Sequence, residues 1–146
     1  IAEIIEMLIE NGLPFTVIPG ACAFVSALVL SGLDSSRFCF LGFLPQKSSE
    51  RKEFLEKYKN LDVTLIFYSA PHDVNKVLKY LYEKFGDRKV AVVKEITKIH
   101  ETTYSLTLST AYIEEPKGEF VIVVAGCPKP EKEAKRNRYR KEDGEE

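Results

Sequence analysis

The sequence contains no apolar run that approaches the roughly 20 residues a membrane-spanning helix needs. It also has no excess of either charge, because 21 basic and 22 acidic residues leave a formal net charge of -1. The overall charge therefore does not favour nucleic acid, and any RNA contact must come from a local patch. With 45% hydrophobic and 29% charged residues in a chain of 146, the composition predicts an ordinary globular protein with one core, outside the membrane.

Cysteine is scarce and shows no ligand pattern. Cys22, Cys39 and Cys127 are odd in number and lie in apolar segments, and no CxxC or Cys/His metal-ligand spacing is present. This pattern predicts reduced thiols that act as small, buried apolar side chains. We therefore expect neither zinc nor disulfides, and a cytoplasmic protein.

Common catalytic and nucleotide-binding motifs are also missing, among them GxSxG, HExxH, the Walker loop and GxGxxG. The two histidines do not replace them. His72 follows Pro71 at a predicted helix start, where a helix cap and a catalytic role are about equally well supported, and His100 is similarly ambiguous. The motifs alone therefore assign no reaction.

Helical and extended patterns alternate along the chain. Predicted helices cover 1–9, ending at Asn11-Gly12, and 21–30, ending at Ser31-Gly32. Two more run from Ser48 through Lys59 and from Ala70-Pro71 to Gly86. The predicted strands are Phe15–Ile18, Phe38–Leu41, Val63–Tyr68, Val90–Val93 and Phe120–Val124, with Thr102–Thr110 as a further strand or extended segment and Ser109 as a candidate helix start.

Two successive strand–helix–strand units with uninterrupted β-branched strands favour a largely parallel sheet covered by helices. We expect a three-layer α/β domain whose sheet, of about five strands, is mostly parallel or mixed. In open parallel sheets the ligand lies outside the carboxyl ends of the strands. The segments predicted to meet at that edge are 19–23, 41–47, 68–72 and 94–101.

The segment from Lys94 to Glu101 is the most polar of the four. A carboxylate beside lysines can stay ionised and accept a hydroxyl proton, but a solvated loop held by ion pairs is supported equally well. The strand-to-helix turn at Pro19–Ala23 exposes backbone N–H groups that suit a ligand, although most such turns only connect elements. These residues indicate a ligand-binding α/β domain without naming its ligand.

Several short strings, in this order, resemble one known family. They are Val17–Ala23, Ser31–Leu33 with Arg37-Phe38, Phe40–Pro45, Leu65–Tyr68, Lys94–Glu101 and Lys117–Val123. The chain from Ile1 to Gly126 resembles the tetrapyrrole (corrin/porphyrin) methylase superfamily of S-adenosylmethionine-dependent methyltransferases. Within it, the Leu-Gly-Phe-Leu-Pro and Glu-Ile-Thr-Lys-x-His-Glu strings are similar to those of the bacterial 16S ribosomal RNA (cytidine) 2′-O-methyltransferases.

The resemblance implies a domain organisation. Residues 1–19 would be the last helix and strand of a truncated N-terminal domain, which agrees with an amphipathic helix that starts at Ile1 without a cap or an initiator Met. Residues 20–127 would be the C-terminal methyltransferase domain. Residues 128–146 would be a charged, disordered tail, since beyond Lys129 only Tyr139 is apolar and larger than Ala. The fragment alone would be inactive, and the family usually forms homodimers.

The resemblance also implies roles for individual residues. Glu95 or Glu101 would accept the proton of a ribose 2′-hydroxyl in small-subunit ribosomal RNA, and no metal would be required. Phosphates of that RNA would be held by Lys47, Arg51, Lys94 and Lys98. Part of the S-adenosylmethionine site would be formed, mostly through backbone groups, by Cys22, Ala23, Tyr68, Ser69, Gly118 and Glu119.

Two other functions stay open at this point. A tetrapyrrole methyltransferase of the same fold is favoured by the slightly acidic body of the chain and disfavoured by the Glu-Ile-Thr-Lys string. A non-catalytic dimerisation or binding module is suggested by apolar faces, such as Phe38 with Phe40 and the first helix, that need covering.

Overall fold

The computed structural model describes residues 1–129, so most of the predicted tail lies outside the described residues. The helices of this part are α1 (Ala2–Glu10), α2 (Ala23–Ser31), α3 (Ser48–Tyr58) and α4 (Val74–Phe85). Its strands are β1 (Phe38–Phe43), β2 (Thr64–Ser69), β3 (Lys89–Lys94), β4 (Thr102–Thr107) and β5 (Phe120–Val124). Within residues 1–129, each helix is too short or too polar to cross a membrane.

The strands form one mixed sheet in the order β1-β2-β5-β3-β4. Strand β1 is parallel to β2, whereas β5 is antiparallel to both β2 and β3, and β4 is antiparallel to β3. The predicted α/β fold with a sheet of five strands is confirmed, and of the two expected arrangements, mostly parallel or mixed, the sheet is mixed. The sheet is mixed because the last strand enters between β2 and β3 in the opposite direction. Its central position buries all five of its side chains.

Glycines end the first two helices as predicted. Gly32 takes the left-handed conformation (φ 65°) after α2. After α1 the chain turns at Asn11-Gly12, where Gly12 has φ 61° and the Leu13 N–H donates to the Leu8 carbonyl at 2.9 Å. Glycine adopts these conformations without the steric cost of a Cβ atom.

Two local predictions are wrong. Residues 13–22 contain no strand, and Val17 and Ile18 in the predicted strand Phe15–Ile18 are exposed. Extended residues become a strand only when a neighbour satisfies their backbone groups, and none of the described strands pairs with this segment. Ser109 starts no helix either, because the Thr110 N–H closes a turn on the Thr107 carbonyl at 3.1 Å.

The sheet separates two apolar layers, which confirms the three-layer architecture. On one side, which we call the α2 face, Ala27 and Leu28 pack against a layer that includes Ile66. On the other side, the α4 face, Leu78 and Leu81 pack against a larger layer that includes Phe67. Neighbouring residues of β2 alternate between the two faces, as the pleat of a strand requires.

The cysteines are free and only partly buried, which corrects the prediction that they fill the core. Cys22 precedes α2 at the surface, Cys39 lies on the edge strand β1, and Cys127 follows β5. Each therefore lies where the packing is open on one side.

Candidate functional site

Most of the residues that the sequence singled out lie along one edge of the sheet, the one formed by the ends of the strands. The cross-strand register places Ser69, Phe120 and Lys94 in one row, which Thr102 extends onto β4. The predicted edge is therefore present. It is formed by the carboxyl ends of β1, β2 and β3 together with the amino ends of β4 and β5.

A cavity of about 210 Å³ opens at this edge on the α2 face. The start of α2 forms one wall, and its N-cap residue Cys22 makes no side-chain cap hydrogen bond. The backbone N–H groups of the first turn thus have no side-chain acceptor there. The cavity is lined by Ala21, Cys22, Ala23, Ser26, Ile96, Thr97, Glu119 and Val121.

Three of the six predicted cofactor residues, Cys22, Ala23 and Glu119, meet in this cavity. Tyr68 lies on the same face and packs against the apolar layer under α2. The side chain of its neighbour Ser69 lies on the α4 face, and its hydroxyl donates to the Ala70 carbonyl at 3.1 Å; both residues line a second cavity at the ends of the strands. The pleat of β2 thus separates two residues that are adjacent in sequence.

The loop after β3 is joined to the start of β5 through Glu95. The Glu95 N–H donates to the Glu119 carbonyl at 3.0 Å, and the Glu119 N–H donates to Glu95 Oε1 at 2.9 Å. Lys98 Nζ lies 3.1 Å from Glu95 Oε1 and 3.2 Å from Glu119 Oε2. Glu95 (φ 51°) and Thr97 (φ 65°) both adopt the left-handed conformation here, which is costly for residues other than glycine.

These contacts shift two pKa values. The hydrogen bond from the Glu119 N–H and then the one from Lys98 lower the pKa of Glu95, despite some desolvation. Hydrogen bonds to Glu95 and then Glu119 raise the pKa of Lys98. Both groups are therefore charged at neutral pH, and the ion-paired loop that the sequence allowed is present.

The other predicted proton acceptor, Glu101, lies in the same loop. Its Oε2 accepts a hydrogen bond from the Thr97 N–H at 2.7 Å. Each of the two candidate carboxylates thus accepts a hydrogen bond from a backbone N–H. For Glu101 the donor lies in the same loop, and for Glu95 it is the residue before β5.

The four predicted RNA-binding cations do not form one patch. Lys47 pairs with Glu50 at 3.1 Å at the start of α3, whereas Lys98 belongs to the cluster around Glu95. Arg51 lines a cavity on the α4 face, and Lys94 lines a different one beside Tyr104 and Tyr112. The structure distributes these cations along the edge of the sheet.

The two histidines lie in different surroundings. His72 Nε2 lies 3.2 Å from Asp73 Oδ2 at the start of α4, beside a cavity. His100 is exposed, and its carbonyl accepts a hydrogen bond from the Thr102 hydroxyl at 3.2 Å.

Sequence reasoning missed five residues that line the cavity on the α2 face, one of which, Val121, lies in β5. Ser26 lies one helical turn after Cys22, and its hydroxyl donates to the Cys22 carbonyl at 3.2 Å. Helical spacing would have placed it on the same face as Cys22. The others are Ala21, Ile96 and Thr97, which lie within segments already noted as strand ends.

A family model described as Tetrapyrrole (Corrin/Porphyrin) Methylases matches residues 1–112. The chain belongs to this family.

The chain is also similar to curated proteins named ribosomal RNA small subunit methyltransferase I. The protein from Coprothermobacter proteolyticus is 41% identical over 123 residues, which are 84% of this chain and 56% of that protein. The Haemophilus influenzae protein is 41% identical over 82% of this chain and 45% of its own length. For Bacillus subtilis the values are 38%, 86% and 44%. The chain therefore spans about half the length of the curated relatives it matches.

Solved structures show the same fold at lower identity. The methyltransferase CobJ superposes with a TM-score of 0.63 at 23% identity, covering 86% of this chain and 56% of that one. A uroporphyrin-III C-methyltransferase from Thermus thermophilus, complexed with S-adenyl homocysteine, has a TM-score of 0.51 at 16% identity and covers 84% and 57% of the two chains.

Proposed function

We propose that this chain is part of an S-adenosylmethionine-dependent methyltransferase that modifies the ribose 2′-hydroxyl of a cytidine in small-subunit ribosomal RNA. The observation that carries the proposal is 41% identity over 84% of the chain with a protein named as a ribosomal RNA methyltransferase. The solved tetrapyrrole-type neighbours are only 15–23% identical. The ribosomal RNA substrate is therefore favoured over a tetrapyrrole.

The cavity on the α2 face fits one part of S-adenosylmethionine. Its volume of about 210 Å³ is below the roughly 300 Å³ at which typical small-molecule pockets begin, so a second wall must complete the site. Small side chains such as Ala23 let a ligand approach the first turn of α2, whose N–H groups suit a carboxylate. The Glu119 carboxylate is 86% exposed at the rim and suits a cationic sulfonium.

The remaining predicted residues act around this cavity. Tyr68 contributes from the same face, Ser69 contributes through the backbone at the end of β2, and Gly118 contributes through the backbone in the turn before β5. S-adenosylmethionine, when bound, supplies an already activated methyl group. The task of the protein is to align the ribose hydroxyl with that methyl group and to exclude water.

Methyl transfer to the 2′-hydroxyl releases its proton, and Glu95 and Glu101 are the candidate acceptors. Both are hydrogen-bonded in the loop, so each also positions the chain beside the cavity. The lowered pKa of Glu95 keeps it ionised and also makes it a weaker base than a free glutamate. Lys47, Arg51, Lys94 and Lys98 would contact phosphates along the edge of the sheet.

We further propose that residues 20–127 form the C-terminal domain of a two-domain, cytoplasmic enzyme, and that residues 1–19 belong with the preceding domain. In support, α1 has no buried residue. Homodimer formation is supported by exposed apolar side chains on β1, of which Phe38 and Phe40 are 43% and 40% exposed. Light scattering over a range of concentrations, with Phe40→Ser as the variant, tests the dimer.

The function is tested by methyl transfer to isolated small ribosomal subunits. The 146-residue chain is compared with a chimera in which the N-terminal part of the Coprothermobacter relative precedes residue 1. We expect 2′-O-methylcytidine, identified by nucleoside mass spectrometry, with the chimera and none with the chain alone. A chimera that binds S-adenosylmethionine but yields no 2′-O-methylcytidine would refute the proposal, and a change in visible absorbance on mixing with a tetrapyrrole would favour that substrate class.

A further inference from the structure

A second cavity opens at the same edge of the sheet, mainly on the α4 face. Its volume is about 480 Å³, and it lies between the segment after β1 and the start of α4. This volume is within the range of small-molecule pockets. The side chains that matter for its chemistry are Phe43, Arg51, Tyr68, His72, Lys76 and Tyr80.

Contacts within the protein fix the orientation of the Arg51 guanidinium. Its Nη1 donates to the Gln46 carbonyl at 2.9 Å and to the Pro45 carbonyl at 3.3 Å. The guanidinium also lies 3.9 Å from the centroid of the Tyr80 ring. Both carbonyls use the same nitrogen, and no described residue accepts from Nε or Nη2. A fixed guanidinium with free donors suits a phosphate or the face of a base.

The cavity carries a net positive charge. Arg51 and Lys76 outweigh the single carboxylate that lines it, Asp73, and His72 adds to them when protonated. Asp73 is itself shared, since its oxygens lie 3.2 Å from His72 Nε2 and 3.5 Å from Lys76 Nζ. The charge therefore favours an anionic ligand.

An exposed aromatic ring stands at the same cavity. Phe43, the last residue of β1, is 64% exposed, and its ring centroid lies 5.7 Å from that of Tyr68. An exposed ring beside a fixed guanidinium and a lysine is the kind of arrangement with which proteins bind unpaired RNA, because bases stack on aromatic rings while cations bind phosphates.

We propose that this cavity binds one nucleotide of a single-stranded RNA segment, with the base against Phe43 and the phosphate between Arg51 and Lys76. The identity of the RNA rests on the proposed function. The cavity extends around the ends of β1 and β2. Arg51 and Lys76 line it from the α4 face, whereas Phe43 and its register partner Tyr68 line it from the α2 face, where the S-adenosylmethionine cavity also lies. The nucleotide bound here is therefore a neighbour of the one that is methylated.

Fluorescence anisotropy with a short labelled single-stranded RNA and the whole chain, without S-adenosylmethionine, tests the charge. Lys76→Ala is expected to weaken binding several-fold and to reduce the slope of log affinity against log salt by roughly 0.7, the value for one phosphate contact on a single strand. Lys79→Ala is the matched control. It removes the same charge from the same helix, from an exposed lysine that is also paired, 3.9 Å from Glu83, but outside the cavity.

The stacking contact is tested in the same assay. Phe43→Ala is expected to weaken RNA binding by roughly tenfold, whereas Phe43→Tyr keeps the affinity. Tyr82→Ala is the control, because Tyr82 is an exposed aromatic residue of α4 that does not line the cavity. Thermal melting shows whether each variant remains folded.

The proposal is overturned if the wild-type chain does not bind the RNA, if Lys76→Ala and Lys79→Ala weaken binding equally, or if Phe43→Ala binds like wild type. Failure of the proposed function has a different signature, namely the absence of 2′-O-methylcytidine in the methyl-transfer assay. The binding comparison needs neither S-adenosylmethionine nor turnover, so the two failures are distinguishable.

Discussion

The carboxylate of Glu95 occupies the space that a Cβ atom on Gly118 would need. Gly118 has φ 85°, a conformation that favours glycine, and Glu95 itself has φ 51°. The loop after β3 and the turn before β5 therefore fit together because residue 118 has no side chain. This fit places Glu119, the next residue, at the rim of the cavity on the α2 face.

The replacement Gly118→Ala should destabilise the fold. Both the positive φ and the overlap with Glu95 oppose a Cβ atom, and we expect the free energy of unfolding to fall by about 1–3 kcal/mol, measured by urea denaturation. Gly20→Ala is the control, since a Cβ atom at residue 20 would have no neighbour within 4 Å other than its own residue and the two next to it in the chain. In a Glu95→Ala background the loss should be smaller. An equal loss in both backgrounds would show that contact with Glu95 plays no part.

The pH dependence of stability should report on Glu95. Its pKa in the folded protein is below its usual 4.5, so the ionised form stabilises the fold above that value, and the contribution disappears as the pH falls from about 4.5 through the folded pKa. We expect Glu95→Gln to be less stable than wild type at neutral pH and to approach it in acid. Glu83→Gln, on an exposed part of α4, should follow the wild-type curve. Parallel curves for Glu95→Gln and wild type would contradict the prediction.

A buried cation joins α3 to the end of β5. Arg88 is only 7% exposed, its Nη2 donates to the Lys59 carbonyl at 2.5 Å, and its Nη1 donates to the Ala125 carbonyl at 3.5 Å. Burial lowers the pKa of Arg88. Its positive charge lies at the carboxyl end of α3, where backbone carbonyls favour cations.

Arg88→Ala should therefore lower the free energy of unfolding by about 2–4 kcal/mol, because it leaves two partly buried carbonyls without their donors and opens a space beside Phe85. Chemical denaturation measures the loss. Lys57→Ala removes an exposed cation from α3 and should change stability by no more than about 0.5 kcal/mol. Similar values for the two variants would mean that water replaces the Arg88 contacts.

The α2-face cavity can be filled without disturbing the core. Ala23 is exposed and lines the cavity, so Ala23→Leu should lower S-adenosylmethionine affinity by roughly tenfold or more while the melting temperature stays near that of wild type. Isothermal titration of the chimera measures the affinity. Val29→Leu, on an exposed part of the same helix, is the control and should bind normally. Unchanged affinity in Ala23→Leu would exclude this cavity as the cofactor site.

Local signals predicted several elements well because their causes are local. Gly32 ends α2 because glycine itself adopts the left-handed conformation easily, and the β-branched run Phe120–Val124 favours a strand whichever way the strand runs in the sheet. Its direction could not be predicted. All five side chains are buried, so both faces look alike in the sequence, and a parallel and an antiparallel strand leave the same pattern.

The candidate site was only partly predictable for a similar reason. The strings that carry the family resemblance identified Cys22, Ala23 and Glu119, which do meet. They also grouped Tyr68 with Ser69, which the pleat of β2 directs to opposite faces. The cavity on the α4 face joins Phe43 to Lys76, and their proximity depends on how α4 packs against the sheet.

The amino-acid order by itself determined where most helices and strands begin and end, which residues are apolar enough for the core, and which short strings resemble a methylase. Those properties depend on neighbours in the chain. Only the tertiary structure decided that β5 enters between β2 and β3, and that the Glu119 N–H reaches the Glu95 carboxylate 24 positions away. Contacts at that separation form when distant apolar surfaces pack together, and local sequence patterns do not encode which surfaces will meet.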